Sequence, residues 1–316
     1  MRILVTGGAG FIGSHLARRL VREDHEVTIL DDFSSGRRDV IVHPSVSFVE
    51  GDVRDAEVVE RIVGDMDFVF HLAAVVGVRR TLRQPWDTIT TSTVGTVNVL
   101  RAALRKGCGC VVASSSSMYG KNVHVPLAEE DDVVLGNTHL GAWTYSYAKA
   151  AEEVLCRAAW QDFDHPVKVV RLFNVVGPGQ GEHLGMVLPR FVGQALRGEP
   201  LVVYGDGGQT RTFMDVEDAI EGILHVWRQG DWGAAYNVGG TEEVRIVDLA
   251  HRVVAQLASS SPVEMLPFQL AYGRDYEETM RRKPDLRRLR ALGYRPRYTL
   301  DQMIRRLADD QKEGGL

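Results

Sequence analysis

The sequence predicts an α/β fold in which a doubly wound parallel sheet is followed by a smaller C-terminal α/β lobe. Over the first half of the chain, short apolar runs alternate with helical patterns at the spacing of strand-helix-strand units. Each run is nearly continuous, which is typical of strands covered on both faces of a parallel sheet. After about residue 174, Gly and Pro become denser and strand-like runs become isolated. We therefore expect a first domain at 1–173 and a second at 174–316, with some interleaving of the two.

The predicted elements follow in chain order. The strands of the first domain are Arg2–Thr6, Glu26–Leu30, Ser47–Glu50, Phe68–His71, Cys110–Ser114 and Val167–Leu172. The helices of the second domain are Val187–Leu196, Val216–Arg228, Ile246–Ala258 and Leu300–Lys312. The helix at 216 begins among acidic residues, which suit the positive end of a helix dipole. We expect this helix to pack back on the first sheet.

The composition is that of a globular protein without a strong net electrostatic field. The 316 residues are 44% hydrophobic and 25% charged, and 37 basic against 42 acidic residues leave a net charge of -5. This balance gives no positive field for a polyanion, so no nucleic-acid partner is expected. The three cysteines lack the spacing of a disulfide framework or a zinc site, and no metal is expected. Since no apolar stretch reaches 18 residues and no signal peptide is evident, we expect a cytoplasmic protein without membrane contact.

A glycine-rich turn follows the first predicted strand. The segment Thr6-Gly7-Gly8-Ala9-Gly10-Phe11-Ile12-Gly13 lies between that strand and an amphipathic helix, and Asp31-Asp32 begins 18 residues after Gly13. Glycines let the backbone approach a pyrophosphate at a helix N-terminus, as in Rossmann-type folds. An acid at the end of strand two accepts hydrogen bonds from the adenine ribose and repels a 2′-phosphate. The pattern favours NAD over NADP; the alternative is a tight structural turn.

The ends of the next strands extend this expected cofactor site. Asp52 and Val53 follow strand three, and Leu72-Ala73-Ala74 follows strand four. Ligands of open α/β sheets bind at the carboxyl ends of the strands, and small side chains let a cofactor lie close to the backbone. We therefore expect these residues to line the cofactor, although each segment alone is also compatible with an ordinary strand end.

Tyr145 and Lys149 are the expected proton-transfer pair. They lie four residues apart on a predicted helix and share one face. A neighbouring ammonium, together with a positively charged nicotinamide, favours the phenolate and so lowers the phenol pKa from its ordinary value near 10. The expected result is a base poised nearer neutrality. The alternative is a surface helix on which the two residues are merely neighbours.

Four serines, Ser114 to Ser117, end the fifth predicted strand. Hydroxyl groups are costly to bury without partners, so a run of them indicates a role other than packing. At the carboxyl edge of the sheet they can bind a substrate hydroxyl and share its proton with Tyr145. The alternative is a Ser-rich loop that caps the next helix.

These motifs resemble the extended short-chain dehydrogenase/reductase family, and within it the nucleotide-sugar epimerases and dehydratases of the UDP-glucose 4-epimerase type. The resemblance covers essentially the whole chain. Its motifs are TGGAGFIG at 6–13, DDFSSG at 31–36, GDVRD at 51–55, HLAA at 71–74, SSSSMYG at 114–120, YSYAK at 145–149, RLFNVVGPG at 171–179, YGDGGQTRTF at 204–213 and RKPDLRRLRALGYRP at 282–296.

The resemblance implies the following roles by position. The catalytic residues are Tyr145 as the base, Lys149 as its partner, and Ser115. The cofactor-binding residues are Gly7, Gly10, Phe11, Ile12, Asp31, Asp32, Ser35, Gly36, Asp52, Val53, Leu72, Ala73, Ala74, Ser92, Ser114, Tyr145 and Lys149. The residues that contact a UDP-sugar are Ser115, Ser116, Ser117, Tyr145, Asn174, Val187, Tyr204, Gln209, Arg211 and Arg274. A homodimer is implied through a four-helix contact made by 85–106 and the Tyr145 helix.

The sequence departs from the family at three places. Ser92 replaces the Asn of an N-V-x-G-T motif, so that cofactor contact is expected to be altered or water-mediated. Ser116 and Ser117 replace the Asp-Glu pair of the dehydratases, and a Glu of the UDP-glucuronate decarboxylases is also missing there. In contrast, the RKPD segment resembles the decarboxylase branch. The stretch after the GP turn, Gly179 to Glu182, lacks the Arg-Pro-Asp of many UDP-glucuronate epimerases.

The expected function is an NAD-dependent nucleotide-sugar 4-epimerase acting on UDP-glucose and UDP-galactose. Tyr145 removes the C4 hydroxyl proton as hydride passes to NAD, and the 4-keto sugar takes the hydride back on its other face. The alternatives are a UDP-glucuronate 4-epimerase or another NDP-hexose epimerase, then a UDP-glucuronate decarboxylase. A non-enzymatic NAD sensor is disfavoured because a sensor has no use for a general base.

Overall fold

The computed structural model describes residues 1–37, 43–182, 185–273 and 277–314. Its strands are β1 (Arg2–Thr6), β2 (Glu26–Asp31), β3 (Val46–Glu50), β4 (Phe68–His71), β5 (Gly109–Ser115), β6 (Val167–Leu172), β7 (Val175–Val176), β8 (Leu201–Tyr204), β9 (Thr210–Thr212), β10 (Met214–Asp215), β11 (Ala235–Val238), β12 (Glu243–Arg245), β13 (Val263–Leu266) and β14 (Arg281–Arg282). The six strands predicted for the first domain are confirmed, each to within one residue at either end.

The helices alternate with these strands. They are α1 (Phe11–Arg22), α2 (Ala56–Val63), α3 (Val78–Arg83), α4 (Pro85–Lys106), α5 (Thr144–Phe163), α6 (Val187–Arg197), α7 (Val216–Gln229), α8 (Ile246–Gln256), α9 (Phe268–Tyr272), α10 (Arg287–Ala291) and α11 (Leu300–Lys312). The four helices predicted in the second half all form. The prediction for α8 ran two residues too far, because Ala258 adopts a positive φ of 48° that a helix cannot continue through.

The large sheet has seven parallel strands in the order β11-β6-β5-β4-β1-β2-β3. The chain runs outward from β1 in one direction through β2 and β3, then returns to the other side of β1 with β4. This reversal of strand order is the switch point at which open α/β sheets form a crevice. The confirmed fold is thus a Rossmann-type doubly wound sheet.

Both faces of the sheet are covered. One apolar core joins the sheet to α1 and α7 through residues such as Leu16, Leu20, Ile220 and Leu224. A second core on the opposite face includes residues of α2, α4 and α5, and all three cysteines are buried there with free thiols. The near-continuous apolar strands follow from this double burial.

The chain after residue 173 contributes to both parts of the molecule. α7 packs on the large sheet and β11 pairs with β6, while α6, α8 and α11 surround a separate core with β8. α7 and β11 therefore belong to the large sheet and its core although they follow residue 173 in the chain. In the described part of the chain, no helix combines the length and apolar character needed to span a bilayer.

Candidate active site

A cleft of about 500 Å³ opens at the carboxyl ends of the central strands. The large sheet forms one side, and residues of α6, β8, β9 and β14 form the other. Its volume is in the range of small-molecule sites, and its location at the switch point is the one expected for an open α/β sheet.

The glycine turn forms the floor of the cleft beneath α1. The N–H of Gly7 donates to the carbonyl of Leu30 at 2.8 Å, and Gly7 adopts a φ of 67°. A Cβ at Gly7 would lie 2.8 Å from the backbone of Ala73. Gly10 precedes α1, and no described side chain caps that helix start. The turn therefore leaves the positive end of α1 open to an anion, as a dinucleotide pyrophosphate requires.

Asp31 is fixed at the end of β2. Its Oδ2 accepts the N–H of Ala9 at 3.0 Å and its Oδ1 accepts the N–H of Phe33 at 2.9 Å. Burial raises the pKa of this carboxyl, and the two backbone hydrogen bonds oppose that rise. Each carboxylate oxygen keeps a lone pair for a further donor, so Asp31 fits the ribose hydroxyls of NAD. The neighbouring Asp32 is exposed and also lines the cleft.

Asp52 lies two residues after the end of β3. Arg54 donates from Nη2 to Asp52 Oδ2 at 2.6 Å, and hydrogen bonding from Arg54 is the largest cause of the lowered pKa of Asp52. Asp52 is thereby kept ionised at the edge of the cleft. Six further sequence-predicted cofactor residues line the same wall: Phe11, Ile12, Val53, Leu72, Ala73 and Ala74.

α5 places Lys149 beneath Tyr145. Lys149 Nζ lies 5.9 Å from the centroid of the Tyr145 ring and donates to the carbonyl of Ala113 at 2.8 Å. It also donates to Glu152 Oε2 at 2.7 Å. Ser115 lies at the end of β5, and hydrogen bonding with its hydroxyl lowers the pKa of the Tyr145 phenol, against the larger effect of burial. The cleft therefore brings together a phenol, an ammonium and a hydroxyl.

Burial and charge act on the Tyr145 phenol in opposite directions. Burial raises the pKa of Tyr145 above its ordinary value, and Lys149, Ser115 and Arg282 only partly oppose this. Desolvation of the phenolate in a deep cleft opposes the effect of the ammonium on the pKa. A further positive charge in the cleft, such as the nicotinamide that the prediction includes, would lower the pKa of Tyr145 as Lys149 does.

The serine run supplies unpaired hydroxyls. Ser115 Oγ accepts the N–H of Ser117 at 3.2 Å and starts a short 3₁₀ turn. The hydroxyls of Ser114 and Ser117 are buried without a hydrogen-bond partner in the described structure, and both residues line the cleft. Buried polar atoms of this kind fit a ligand that supplies the missing partners. Ser116 lines the cleft beside them.

The opposite side of the cleft carries the residues expected to meet the nucleotide sugar. Asn174, Val187, Tyr204, Gln209 and Arg211 all line it. Asn174 Nδ2 donates to the carbonyl of Thr212 at 2.8 Å, and Gln209 Nε2 donates to the carbonyl of Tyr204 at 3.1 Å. These contacts fix the two amides. Arg274 lies outside the described residues.

Arg211 is not an isolated cation. Its Nη2 donates to Glu278 Oε1 at 2.5 Å, and its Nη1 donates to the carbonyl of Thr210 at 2.7 Å. The side chains of Arg211 and Glu278 are largely buried, at 10% and 17% exposure. An incoming phosphate therefore meets an arginine that already has a carboxylate partner.

Two sequence-predicted cofactor residues do not reach the cleft lining. Ser92 is fully buried in α4, on the side that faces α5. Gly36 packs behind the glycine turn, where a Cβ would lie 2.8 Å from Ala9. The motif positions are thus adjacent to the site, but helix packing turns Ser92 inward. Ser35, next to Gly36, does line the cleft.

Two arginines of the cleft were not among the site residues predicted from the sequence. Arg282 on β14 lines the cleft near Tyr145, and its cross-strand neighbour is Arg211. Arg190 on α6 stacks over the Tyr204 ring at 4.3 Å. The RKPD motif begins at Arg282 and was a usable signal. For Arg190 the signal was its position one helical turn after Val187, on the same helix face.

The fold and the site together define a dinucleotide-dependent enzyme. The family model of the NAD-dependent epimerase/dehydratase family matches residues 3–239, and the chain belongs to this family. Within the described ranges, no group of three or more His, Cys, Asp or Glu side chains is arranged to hold a metal ion.

Similar proteins come from two branches of the family. The chain is 38% identical over 310 residues to the UDP-N-acetyl-alpha-D-glucosaminuronate decarboxylase of Bacillus cytotoxicus, covering 96% of this chain and 95% of that protein. It is 33% identical to UDP-glucuronic acid decarboxylase 1 of Danio rerio, covering 95% and 70% of the two chains. It is also similar to the UDP-glucose 4-epimerase of Thermus thermophilus, solved with NAD, with a TM-score of 0.86, 29% identity and 99% coverage of both chains.

NAD is the cofactor that these findings support. The Thermus thermophilus structure contains it, and the family is NAD-dependent. The residues of this chain fit the molecule, because the Gly7 turn leaves a helix start open and Asp31 presents a fixed carboxylate. The expectation of NAD is confirmed.

Proposed function

We propose that this protein is an NAD-dependent UDP-hexuronate decarboxylase, which oxidises C4 of the sugar, releases the C5 carboxylate as CO2 and re-reduces C4. The observation that carries the proposal is Arg282, a guanidinium in the same cleft as Tyr145, Lys149 and Ser115. The similarity to two uronate decarboxylases over nearly the whole chain supports the same function. It favours the decarboxylase alternative over the expected UDP-glucose 4-epimerase.

Tyr145 moves the proton of the C4 hydroxyl. When bound, NAD accepts and returns the C4 hydride. Tyr145 Oη takes the proton of the C4 hydroxyl and later gives it back. Ser115 orients the C4 oxygen of the sugar by hydrogen bonding. Lys149 favours the phenolate by its charge, and the surrounding burial excludes water from the reacting atoms.

Arg282 suits the carboxylate of the substrate. A guanidinium binds a carboxylate through paired N–H donors, and it does so more strongly in a desolvated cleft. The segment before β14 is tied to the sheet side of the cleft, because Thr279 Oγ1 donates to the carbonyl of Gly120 at 3.2 Å and Glu277 Oε2 accepts from Trp143 Nε1 at 2.7 Å. These contacts hold the start of β14, and with it Arg282, near the phenol.

Ser117 departs from the Glu that the UDP-glucuronate decarboxylases carry at this position, but the loss of CO2 itself needs no acid there. Once C4 is a carbonyl, the C5 carboxylate is β to it, and CO2 leaves with the C5–C6 electron pair entering an enolate. The enolate oxygen lies on C4, where Tyr145 and Ser115 can hydrogen-bond it. One proton from solvent, consumed overall when a carboxylate leaves as CO2, then adds to C5 as the enolate collapses to the C4 ketone, which takes back the hydride. Dehydration, in contrast, needs an added acid for the departing hydroxyl, and serines occupy those positions.

A second candidate is a 4-epimerase of a UDP-hexose or UDP-hexuronate. The specific observation in its favour is the pair of unpartnered hydroxyls, Ser114 and Ser117, which suits a neutral polyol. The two candidates share the oxidation at C4 and differ in the fate of C5.

Product analysis separates them. The NAD-loaded protein is incubated with UDP-glucuronate, UDP-N-acetylglucosaminuronate and UDP-glucose, and products are followed by NMR with a parallel assay of released CO2. We expect CO2 from at least one uronate, with a UDP-pentose as the product of UDP-glucuronate or a UDP-N-acetylpentosamine as the product of UDP-N-acetylglucosaminuronate, and no change in UDP-glucose. A 4-epimer formed without CO2 would favour the second candidate, and no reaction with any of the three would contradict both.

We also propose that the chain forms a homodimer through α4 and α5. Apolar residues are exposed on both helices, with Val94 at 42% and Val154 at 68% exposure. Exposed apolar surface on adjacent helices is typical of an interface. Light scattering of the protein and of a Val154→Glu variant tests this: a dimeric protein and a monomeric variant are expected, and a monomeric starting protein would contradict it.

A further inference from the structure

Beneath the catalytic lysine lies a buried carboxylate with no assigned role. Glu152 Oε2 accepts from Lys149 Nζ at 2.7 Å, and the side chains of Glu152 and Lys149 are 1% and 4% exposed. Glu152 does not line the cleft, so it cannot touch a ligand directly. A buried ion pair directly behind a reacting group influences that group through its partner.

The hydrogen bonds of Lys149 show how its ammonium is oriented. An ammonium has three N–H donors, of which one goes to the carbonyl of Ala113 and one to Glu152. The third remains for the cleft, which Lys149 lines. Removal of Glu152 would leave a buried cation held only by one carbonyl.

Ser92 belongs to the same cluster. Its hydroxyl and Glu152 Oε1 are both fully buried and lack a hydrogen-bond partner of normal geometry in the described structure. Ser92 nevertheless lies close enough to lower the pKa of Glu152, against the larger effect of burial, which raises it. Ser92, a predicted cofactor residue, therefore faces the carboxylate behind Lys149.

We propose that Glu152 is a positioning residue of the active site, which holds the Lys149 ammonium with one N–H directed into the cleft and moderates the positive field that Lys149 exerts on Tyr145. The proposal rests on the proposed function only in taking Tyr145 as the proton-transfer group. It concerns the ionisation of the phenol and is independent of the sugar.

The groups around Lys149 and Glu152 each raise or lower the pKa of Tyr145 or are uncharged. On α5, Lys149 lowers the pKa of Tyr145 and Glu152 raises it, after the dominant effect of burial. From β14, Arg282 lowers it, and from β5 Ser115 does so by hydrogen bonding. His71 on β4 is neutral, because burial and then Lys149 lower its pKa to about 3. Behind the pair, Cys156 is a buried thiol whose pKa burial raises well above its ordinary value.

The test is the titration of the Tyr145 phenolate in the NAD-loaded protein. Phenolate absorbance is recorded against pH for the native chain and for Glu152→Gln, each corrected with its Tyr145→Phe counterpart. Glutamine keeps an acceptor at the same place and removes the charge. We expect the transition to move to lower pH by about one unit, because the Lys149 field is no longer compensated. The acidic limb of kcat for an active substrate should move with it.

The matched control is the neighbouring Glu153→Gln. Glu153 is a largely buried carboxylate on the same helix, but it pairs with Arg171 at 2.7 Å. We expect this variant to lose stability and to keep the Tyr145 transition in place. An unmoved transition in Glu152→Gln, or an equal shift in Glu153→Gln, would overturn the proposal.

If Glu152→Gln does not fold, a second variant tests the same proposal. Glu152→Asp keeps the charge but draws it back from Lys149 Nζ, so an intermediate shift in the same direction is expected. A transition identical to that of the native chain would overturn the proposal in this case as well. Because the titration needs no turnover, the shift of the Tyr145 transition can be interpreted even if the proposed substrate is wrong.

Discussion

The sheet side of the cleft presents backbone turns and small side chains, whereas the smaller lobe presents arginines. The Gly7 turn and the Ala73 strand end line the cleft, and their backbones lie so close that a Cβ at Gly7 would be 2.8 Å from Ala73. On the other side Arg190, Arg211 and Arg282 come from separate chain segments, and Arg211 is paired with Glu278. We infer that cofactor binding depends on backbone geometry and that sugar selection depends on charge balance. The following variants test this division.

Tyr145 lies where the two sides meet, and its loss should have the largest effect. Phenylalanine removes the oxygen to which we assign proton transfer and leaves the ring, so we expect kcat to fall by about 10³-fold while NAD affinity changes little. The measurements are steady-state turnover with the active substrate and NAD titration by protein fluorescence. Retention of more than about a tenth of the activity would assign proton transfer to another group.

Gly7→Ala tests the backbone side of the comparison. Its positive φ costs an L-residue about 1–2 kcal/mol, and the added Cβ would lie 2.8 Å from the Ala73 backbone. We expect NAD affinity to fall by at least about tenfold, since the turn must shift to relieve the contact. Isothermal titration with NAD measures the loss.

Gly107→Ala is the matched control. Gly107 ends α4 with a φ of 74°, and nothing lies within 4 Å of a Cβ placed there. The same backbone strain should lower the free energy of unfolding by about 1 kcal/mol and leave NAD affinity unchanged. Equal losses of NAD affinity in the two variants would show that strain alone, and not the close approach to Ala73, weakens binding.

The same division explains what could be predicted from the sequence. The strands, the glycine turn and the spacing of Tyr145 and Lys149 are encoded locally by apolar periodicity and helix geometry. The inward orientation of Ser92 depends on how α4 packs on α5, which no local pattern encodes. The Arg211–Glu278 pair joins residues 67 positions apart, and the raised pKa of Tyr145 follows from burial. These three features needed the tertiary structure.

Arg282→Gln tests the charge side. If Arg282 binds the substrate carboxylate, kcat/KM for the active UDP-hexuronate should fall by about 10–100-fold, as expected for a lost charge-assisted hydrogen bond. Binding of UDP, which lacks the carboxylate, should be unaffected. The adjacent Arg281→Gln is the control, because Arg281 is exposed and pairs with Glu243 away from the cleft lining. Similar losses in both variants would contradict a specific role for Arg282.

The smallest effect is expected at Glu243, which stabilises the strands behind the arginines. Glu243 on β12 accepts from Arg281 Nε at 2.6 Å and from Thr210 Oγ1 at 2.7 Å. The hydrogen bond from Arg281 is the largest cause of a fall in the Glu243 pKa from 4.5 to about 2. A carboxyl with a lowered folded-state pKa stabilises the fold above its unfolded pKa and loses this contribution as pH falls toward the folded value.

Glu243→Gln should therefore lower the free energy of unfolding by about 1 kcal/mol at pH 7, because the exposed Arg281 is screened by solvent. The difference in free energy of unfolding between Glu243→Gln and the native chain should persist down to about pH 4.5 and shrink as the pH falls toward 2. Urea unfolding of both proteins across this range measures it, with NAD affinity as a second readout that should stay constant. A difference independent of pH would mean that shape and hydrogen bonding, and not charge, hold β12 and β14 beside β9.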